Sequence, residues 1–269
     1  MAKKVLAETS NKEYARIIKA IEEAKYDDSD IDSLKAFFDA REYGIPSRRI
    51  NVNAVRNKYK TNAEYCAVLK EYSDSLKKDL DKLKAEQKRT DKQAAKDLEW
   101  DKVLEKAVTA MNDEKYCLED RILIGLYTQL DPVRIDYTHI KLYETDPKLD
   151  KGTYFVINDS VKEVVITEHK TVKKWGPIRQ PLPERLAEMI LMWFKGETVM
   201  FPITEHSMSK KITTLFLKVT GKPMTATSLR HSRITFQHKG SRTPIDNKIL
   251  AANMGHSIGT QHSYRFAPE

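Results

Sequence analysis

The sequence predicts a mainly α chain with a small antiparallel β-sheet, an α+β arrangement in which a helical N-terminal domain precedes a mixed domain. Three observations carry this. Apolar residues recur at three- and four-residue intervals through most of the chain, the period of a buried helix face. The residues from Thr153 to Glu168 become β-like instead, with the alternation of strands. Between the two textures lies Lys84 to Lys96, a charged run with no apolar face, which reads as a linker or an exposed helical connection. The domain boundary is expected there, with residues 1–95 as the helical domain and 96–269 as the mixed one.

The elements follow in order. Glu8 to Tyr43 reads as helices: Tyr14, Ile17, Ile18 and Ile21 keep helical spacing, and Asp30 suits the N-cap of a helix carrying Leu34, Phe37 and Phe38. Gly44-Ile45-Pro46-Ser47 breaks it. Ser47-Arg48-Arg49 and Arg56-Asn57-Lys58-Tyr59-Lys60 are basic clusters near that break, suited either to phosphates or to a solvated face. A long helix is expected from about Asn62 to Ala95, with Leu69, Tyr72, Leu76, Leu80 and Leu83 as its apolar stripe. The stripe fades at Gln87 and Thr90, too soon for a coiled coil. Beyond Trp100, Leu118, Ile122, Gly125, Leu126 and Leu130 mark another helix face. Asp131 then offers an N-cap and Pro132 a first position for a new helix, which would put Arg134 in its first turn beside free N–H groups. Tyr154, Val156, Val164 and Ile166 alternate around Asn158-Asp159-Ser160, a hairpin whose second strand ends at His169-Lys170-Thr171. Lys173 to Pro177 reads as a turn and Ile178 to Leu182 as a third short strand. Helices resume at about Glu184–Lys195, Ser207–Thr220, Thr225–His238 and Ile245–Asn253.

Composition narrows the function classes. The 269 residues carry 47 Lys+Arg against 39 Asp+Glu, a net charge of +8, which fits a polyanionic partner, nucleic acid first and an anionic membrane surface second. Apolar runs fall short of the roughly 18 residues of a membrane span. Met1-Ala2-Lys3-Lys4-Val5 lacks the long apolar region of a secretory signal, so an intracellular protein is expected. Cys66 and Cys117 stand far apart, without CxxC or Cys/His spacing, which argues against a zinc site and for a reducing compartment.

One constellation carries chemistry. Pro132-Val133-Arg134, Lys170-Thr171, Leu229-Arg230-His231-Ser232 and Met254-Gly255-His256-Ser257, followed by Tyr264, place an Arg, a Lys, a second Arg, a His and a Tyr in that chain order. A phosphodiester repels nucleophiles because it is already negative, and the transition state adds charge to its non-bridging oxygens. Two guanidiniums offer paired donors there and stay ionised at any working pH, in place of metal ions. Tyr264, with an ordinary pKa of about 10, needs help to attack. His256 either supplies that help or donates to the same oxygens. Lys170 is the candidate general acid for the departing 5′-oxygen. Taken singly, Arg134 reads more often as a salt-bridging residue at a helix end, Lys173 and Lys174 rival Lys170, and His231 reads as structural. His262 reads as solvent-facing on the nucleophile's loop, and Trp175 and Trp193 as core.

From roughly Trp100 to Tyr264 the chain resembles the tyrosine recombinase (integrase) family. Leu126-Tyr127-Thr128-Gln129-Leu130-Asp131-Pro132-Val133-Arg134-Ile135-Asp136-Tyr137 looks like its first-arginine motif, in a form associated with mobile elements and large DNA viruses. His169-Lys170-Thr171 looks like its sheet lysine, Leu229-Arg230-His231-Ser232 its second-arginine motif, Met254-Gly255-His256-Ser257 its GHS box, and Tyr264 its nucleophile. The resemblance implies a helical DNA-clamping domain and a catalytic domain closing as a C-shaped clamp on duplex DNA. It also implies a 3′-phosphotyrosine intermediate in site-specific recombination or integration, self-association as a tetramer on DNA, and no metal or small-molecule cofactor. Type IB topoisomerases share the residue set, and an inactive DNA-binding relative would share the fold. Members usually carry a His three residues before the second Arg; here that residue is Thr227, with His231 as a substitute from another face of the helix. Many members continue into a C-terminal segment that docks on a neighbouring protomer, and this sequence ends at Glu269.

Overall fold

The computed structural model describes residues 2–86, 91–169, 171–239 and 243–262. Two compact units make up the chain, Met1–Glu86 and Gln87–Glu269.

The first unit is helical: α1 (Ala2–Glu23), α2 (Ile31–Ala40), α3 (Ile45–Lys58) and α4 (Ala63–Ala85). Asp30 caps α2 as its sequence predicts, its carboxylate accepting the Ser33 N–H at 2.7 Å. The Gly44-Ile45-Pro46 break is also a start, because Gly44 is extended and Pro46 fits the first turn of α3. Ile17, Ile21, Leu34, Phe37, Phe38, Val52, Val55, Leu69 and Leu76 form the core. The stripe of α4 ends sooner than its spacing predicts: Leu76 is buried, whereas Leu83 is 50% exposed. The expected single helix to Ala95 is instead α4 to Ala85 and a four-residue α5 (Asp91–Ala94).

The second unit has α6 (Trp100–Met111), α7 (Leu118–Thr128), β1 (Lys141–Tyr143), β2 (Thr153–Ile157), β3 (Lys162–Ile166), α8 (Val172–Trp175) and β4 (Ile178–Pro181). The helices α9 (Glu184–Phe194), α10 (Glu205–Thr220), α11 (Ala226–Lys239), α12 (Pro244–Asn253) and α13 (Ile258–His262) follow. The mainly α class with one small sheet is as expected. The hairpin and the strand after it pair antiparallel, β2 with β3 and β3 with β4, and an additional strand, β1, pairs parallel to β2. Three residues, Lys141-Leu142-Tyr143, are too few to display an alternation, so β1 leaves no trace in the pattern.

Asn158 closes the hairpin, its side-chain oxygen accepting the N–H groups of Ser160 and Val161 at 2.8 and 2.7 Å. The pleat then sorts β2 into two faces. Phe155 and Ile157 join Val164, Ile166 and Ile178 in the main core, while Tyr154 and Val156 meet Val165 and Tyr143 on the other side. The main core continues through α6, α7, α9 and α10. Gly125 lets α7 approach α9, since a Cβ there would lie 2.7 Å from a Leu186 methyl.

One expected element is absent. Residues 131–140 form a loop rather than a helix begun by Asp131 and Pro132. The Asp131 carboxylate does not cap a following turn; it is taken by Arg233 and Asn253.

Candidate active site

The loop that carries Arg134 is pinned from both sides. The buried Tyr127 hydroxyl, on α7, donates to the Arg134 carbonyl, and the Arg134 N–H donates to Asp136 Oδ2 at 3.1 Å. Tyr137 stands edge-on to Tyr127 with ring centroids 5.3 Å apart, and both rings are fully buried. Arg134 therefore does not sit among the free amides of a helix start. Its own amide is spent on Asp136, and the anion-binding capacity of the segment is that of the half-buried guanidinium.

Arg230 lies in α11, which packs on α6 and α10, and is 1% exposed. The next turn fixes the helix in place: Ser232 donates to the Leu98 carbonyl, and the Arg233 guanidinium lies 5.4 Å from the Trp100 ring centroid.

His256 is delivered by the end of α12. Gly255 N–H bonds to the Ala252 carbonyl at 2.9 Å and His256 N–H to the Ala251 carbonyl at 3.0 Å. Those are the two bonds of a Schellman cap, with the glycine in the left-handed conformation at φ 64°. Met254-Gly255-His256 is thus a helix stop that turns the chain and leaves the imidazole 2% exposed. A Cβ on Gly255 would lie 3.0 Å from Ile178 Cδ1 and 3.2 Å from His169 Nδ1.

That last contact brings the lysine-bearing turn to the cap. Thr171 Oγ1 donates to the Gly255 carbonyl at 2.6 Å, and His169 Nε2 donates to the Gly176 carbonyl at 2.9 Å. Lys170 itself lies outside the described residues, but both of its chain neighbours are held against the segment that precedes His256. Tyr264 also lies outside them, as does the side chain of His262.

The electrostatics tie the pieces together. Burial lowers the His256 imidazole to a pKa of about 4, helped by the charges of Arg230 and then Arg134, against the pull of its bond to the Ser257 carbonyl. Both guanidiniums therefore act on one imidazole. That ring is neutral at physiological pH. Its Nδ1 lies 3.2 Å from the Ser257 carbonyl, which only accepts, so Nδ1 carries the hydrogen and Nε2 the lone pair. Burial raises the Asp136 carboxyl, while the Arg134 N–H and the charges of Arg230, His169 and Arg134 hold it down. The assembled group is two guanidiniums, a neutral imidazole and one half-buried carboxyl.

Of the five residues expected from sequence, Arg134, Arg230 and His256 come together, and Lys170 and Tyr264 are not described. Lys173, the rival lysine, is exposed, and the side chain of Lys174 is outside the described residues. Thr227 lines a shallow pocket with Gln93, Asp97, Ser228 and His231. Trp193 is partly buried against the core, whereas Trp175 is 44% exposed and not a core residue. Asp136 and His169 were visible inside the quoted motifs, but nothing in their spacing marked them as neighbours of the arginines. Among the described residues, no three His, Cys, Asp or Glu side chains are grouped as a metal site, and no helix is long and apolar enough to cross a membrane.

Neither family models nor curated protein sequences match the chain. Among solved structures, the chain is similar to a crystal structure of XerA recombinase, over 97% of this chain and 88% of that one, at 12% identity and a TM-score of 0.42.

Proposed function

We propose that this chain breaks and rejoins DNA strands through a 3′-phosphotyrosine. The observation that carries the reading is that the segments bearing Arg134, Arg230 and His256, far apart in sequence, are tied to one carboxylate, that of Asp131, through Arg233 and Asn253. In this reading the two guanidiniums hold the non-bridging oxygens of the scissile phosphate and take up the charge that develops there. His256 Nε2 accepts the Tyr264 proton, because a neutral imidazole with Nδ1 occupied has its lone pair at Nε2. The phenolate oxygen bonds to phosphorus and the bond from phosphorus to the 5′-oxygen breaks. Lys170 gives that oxygen its proton, so the 5′ end leaves as a hydroxyl. A 5′-hydroxyl then attacks the phosphotyrosine and gives its proton to Lys170, the bond from phosphorus to the Tyr264 oxygen breaks, and His256 returns its proton to the departing phenolate.

The first unit would clamp the duplex, and pairing of two sites would require self-association as a tetramer. Site-specific recombination or integration is the biological class we assign. A type IB topoisomerase would relax supercoils as a monomer without pairing two copies of one sequence.

The test is a suicide DNA substrate followed by denaturing electrophoresis. The parent protein is expected to form a covalent adduct in excess EDTA, and Tyr264→Phe to bind the same DNA without forming one. An adduct that persists in Tyr264→Phe moves the nucleophile elsewhere. The absence of any adduct from the parent leaves a DNA-binding relative without catalysis.

A further inference from the structure

The segments that carry the cationic cluster are joined by one polar network centred on Asp131. Arg233 Nε and Nη2 donate to Asp131 Oδ1 at 3.1 and 3.0 Å, and Asn253 Nδ2 donates to Oδ2 at 2.9 Å. Gln180, on β4 and 2% exposed, accepts the Asp131 N–H at 2.9 Å and donates to the carbonyls of Asp131 and Asn253 at 3.0 and 3.1 Å. Each hydrogen of the Gln180 amide is used, and both carboxylate oxygens of Asp131 are engaged.

The spacing of the partners is what gives the network meaning. Asp131 stands three residues before Arg134, Arg233 three after Arg230, and Asn253 three before His256. Three residues on a helix bring a side chain round to nearly the same face, so Arg233 reports the setting of Arg230 on α11. Asn253 is the last residue of α12, and His256 follows directly through the cap. One carboxylate therefore grips the loop of the first arginine, the helix of the second and the helix end that delivers the histidine. Charge-assisted bonds of this kind are directional, and a half-buried ion pair such as this adds little net stability. Its value lies in fixing register.

We propose that Asp131 is the positioning residue of the site, holding Arg134, Arg230 and His256 in mutual register without touching the substrate. The proposal rests on the DNA-cleavage reading for its consequence but not for its geometry, so the test has one arm with DNA and one without.

In the DNA arm, Asp131→Ala and Asn253→Ala are each expected to slow adduct formation at saturating suicide DNA by up to about 10²-fold, the cost of an ångström-scale misplacement. DNA affinity should stay near the parent's. The double variant should be no slower than Asp131→Ala alone, because both changes break one network. In the DNA-free arm, the His256 imidazole is followed by NMR as pH is varied. If the guanidiniums drift away, His256 titrates at higher pH. Loss of a nearby carboxylate would by itself move the imidazole the other way, so an upward shift in Asp131→Ala reports displacement and not simple charge removal. Asn253→Ala changes no charge, keeps the backbone carbonyl bonded to Gln180, and carries the same test should Asp131→Ala fail to fold.

An unshifted His256 titration in a folded Asn253→Ala variant overturns the proposal, and so does a parent-like adduct rate or a multiplicative loss in the double variant. A parent protein that forms no adduct at all, with His256 still shifting in the variants, refutes the DNA-cleavage reading and leaves the positioning role standing.

Discussion

His256 is a buried imidazole in the field of two cations, and its protonation state decides what it can do. The sequence left two roles open, donor to the phosphate oxygens or acceptor for the tyrosine proton. Burial, Arg230 and Arg134 hold it at about 4 against an ordinary 6.5, which selects the neutral form. Because the folded-state value is the lower one, the unfolded chain binds the proton first as pH falls. The stability this group contributes is complete above about pH 6.5 and is lost progressively as pH falls toward 4, up to about 3 kcal/mol. His256→Gln is expected to flatten that part of the stability-against-pH curve in urea titrations, and an unchanged slope would mean that another group titrates there. A bound phosphate offsets the guanidiniums and should raise the imidazole, so its NMR titration midpoint is expected to climb when DNA is added. The residues that read plainly in the sequence, Arg134, Arg230 and His256, did so because their chemistry is unusual and their chain order constrained. Asp136, His169 and Asn253 did not, because a lone Asp, His or Asn is common and only the fold shows what it faces.

At the scale of elements, most of the helices and the hairpin were legible because a period of 3.6 or 2 persists over enough residues to be seen. Two misreadings have a shared cause. Asp131-Pro132 has the chemistry of a helix start, yet residues 131–140 are a loop, since Arg233 and Asn253 compete for the carboxylate that would cap it. β1 is a strand because β2 offers it a partner, not because its three residues prefer one. Both outcomes are tertiary and invisible to local pattern. The cap of α12 is the converse, a local device with a distant effect. Gly255 is left-handed at φ 64°, and a methyl there would press on Ile178 and His169 at 3.0 and 3.2 Å. Gly255→Ala should thus incur backbone strain of about 1 kcal/mol or more, with a further cost where neither neighbour can give way. The expected result is a lower melting temperature together with a shifted His256 titration. A variant as stable as the parent, with His256 unmoved, would show that the cap tolerates a side chain and that the glycine has no part in placing the histidine.

Across the whole molecule, the net charge of +8 says less than the distribution of its partners. Two basic clusters in the first unit read alike in sequence, but their members differ in how they are engaged. Arg48 donates to the Tyr43 carbonyl at 2.6 Å and pairs with Asp39 at 2.7 Å. Lys58 meets Asp28 at 2.8 Å and Glu22 at 3.1 Å, and Tyr59 bonds to the same buried Asp28 at 2.8 Å. Those cations hold helices together. Arg56 and Lys60 are exposed and line a shallow polar groove with Tyr14, Asn53 and Asn57, a surface suited to a phosphate backbone. The two pairs should therefore fail in different ways. Arg56→Ala and Lys60→Ala are each expected to weaken DNA binding at every sequence tested and to reduce the slope of log affinity against log salt by roughly 0.9, with the melting temperature retained. Lys58→Ala strips a buried carboxylate of its cation and should cost about 1–3 kcal/mol of stability while leaving the salt slope as it was. Arg48→Ala should act in the same direction as Lys58→Ala. Binding isotherms at several salt concentrations, with a thermal melt of each variant, separate the two sets. If Lys58→Ala reduces the slope and Arg56→Ala does not, the DNA-facing surface of this unit lies elsewhere than the groove. If neither Arg56→Ala nor Lys60→Ala moves it, the first unit is not a clamp.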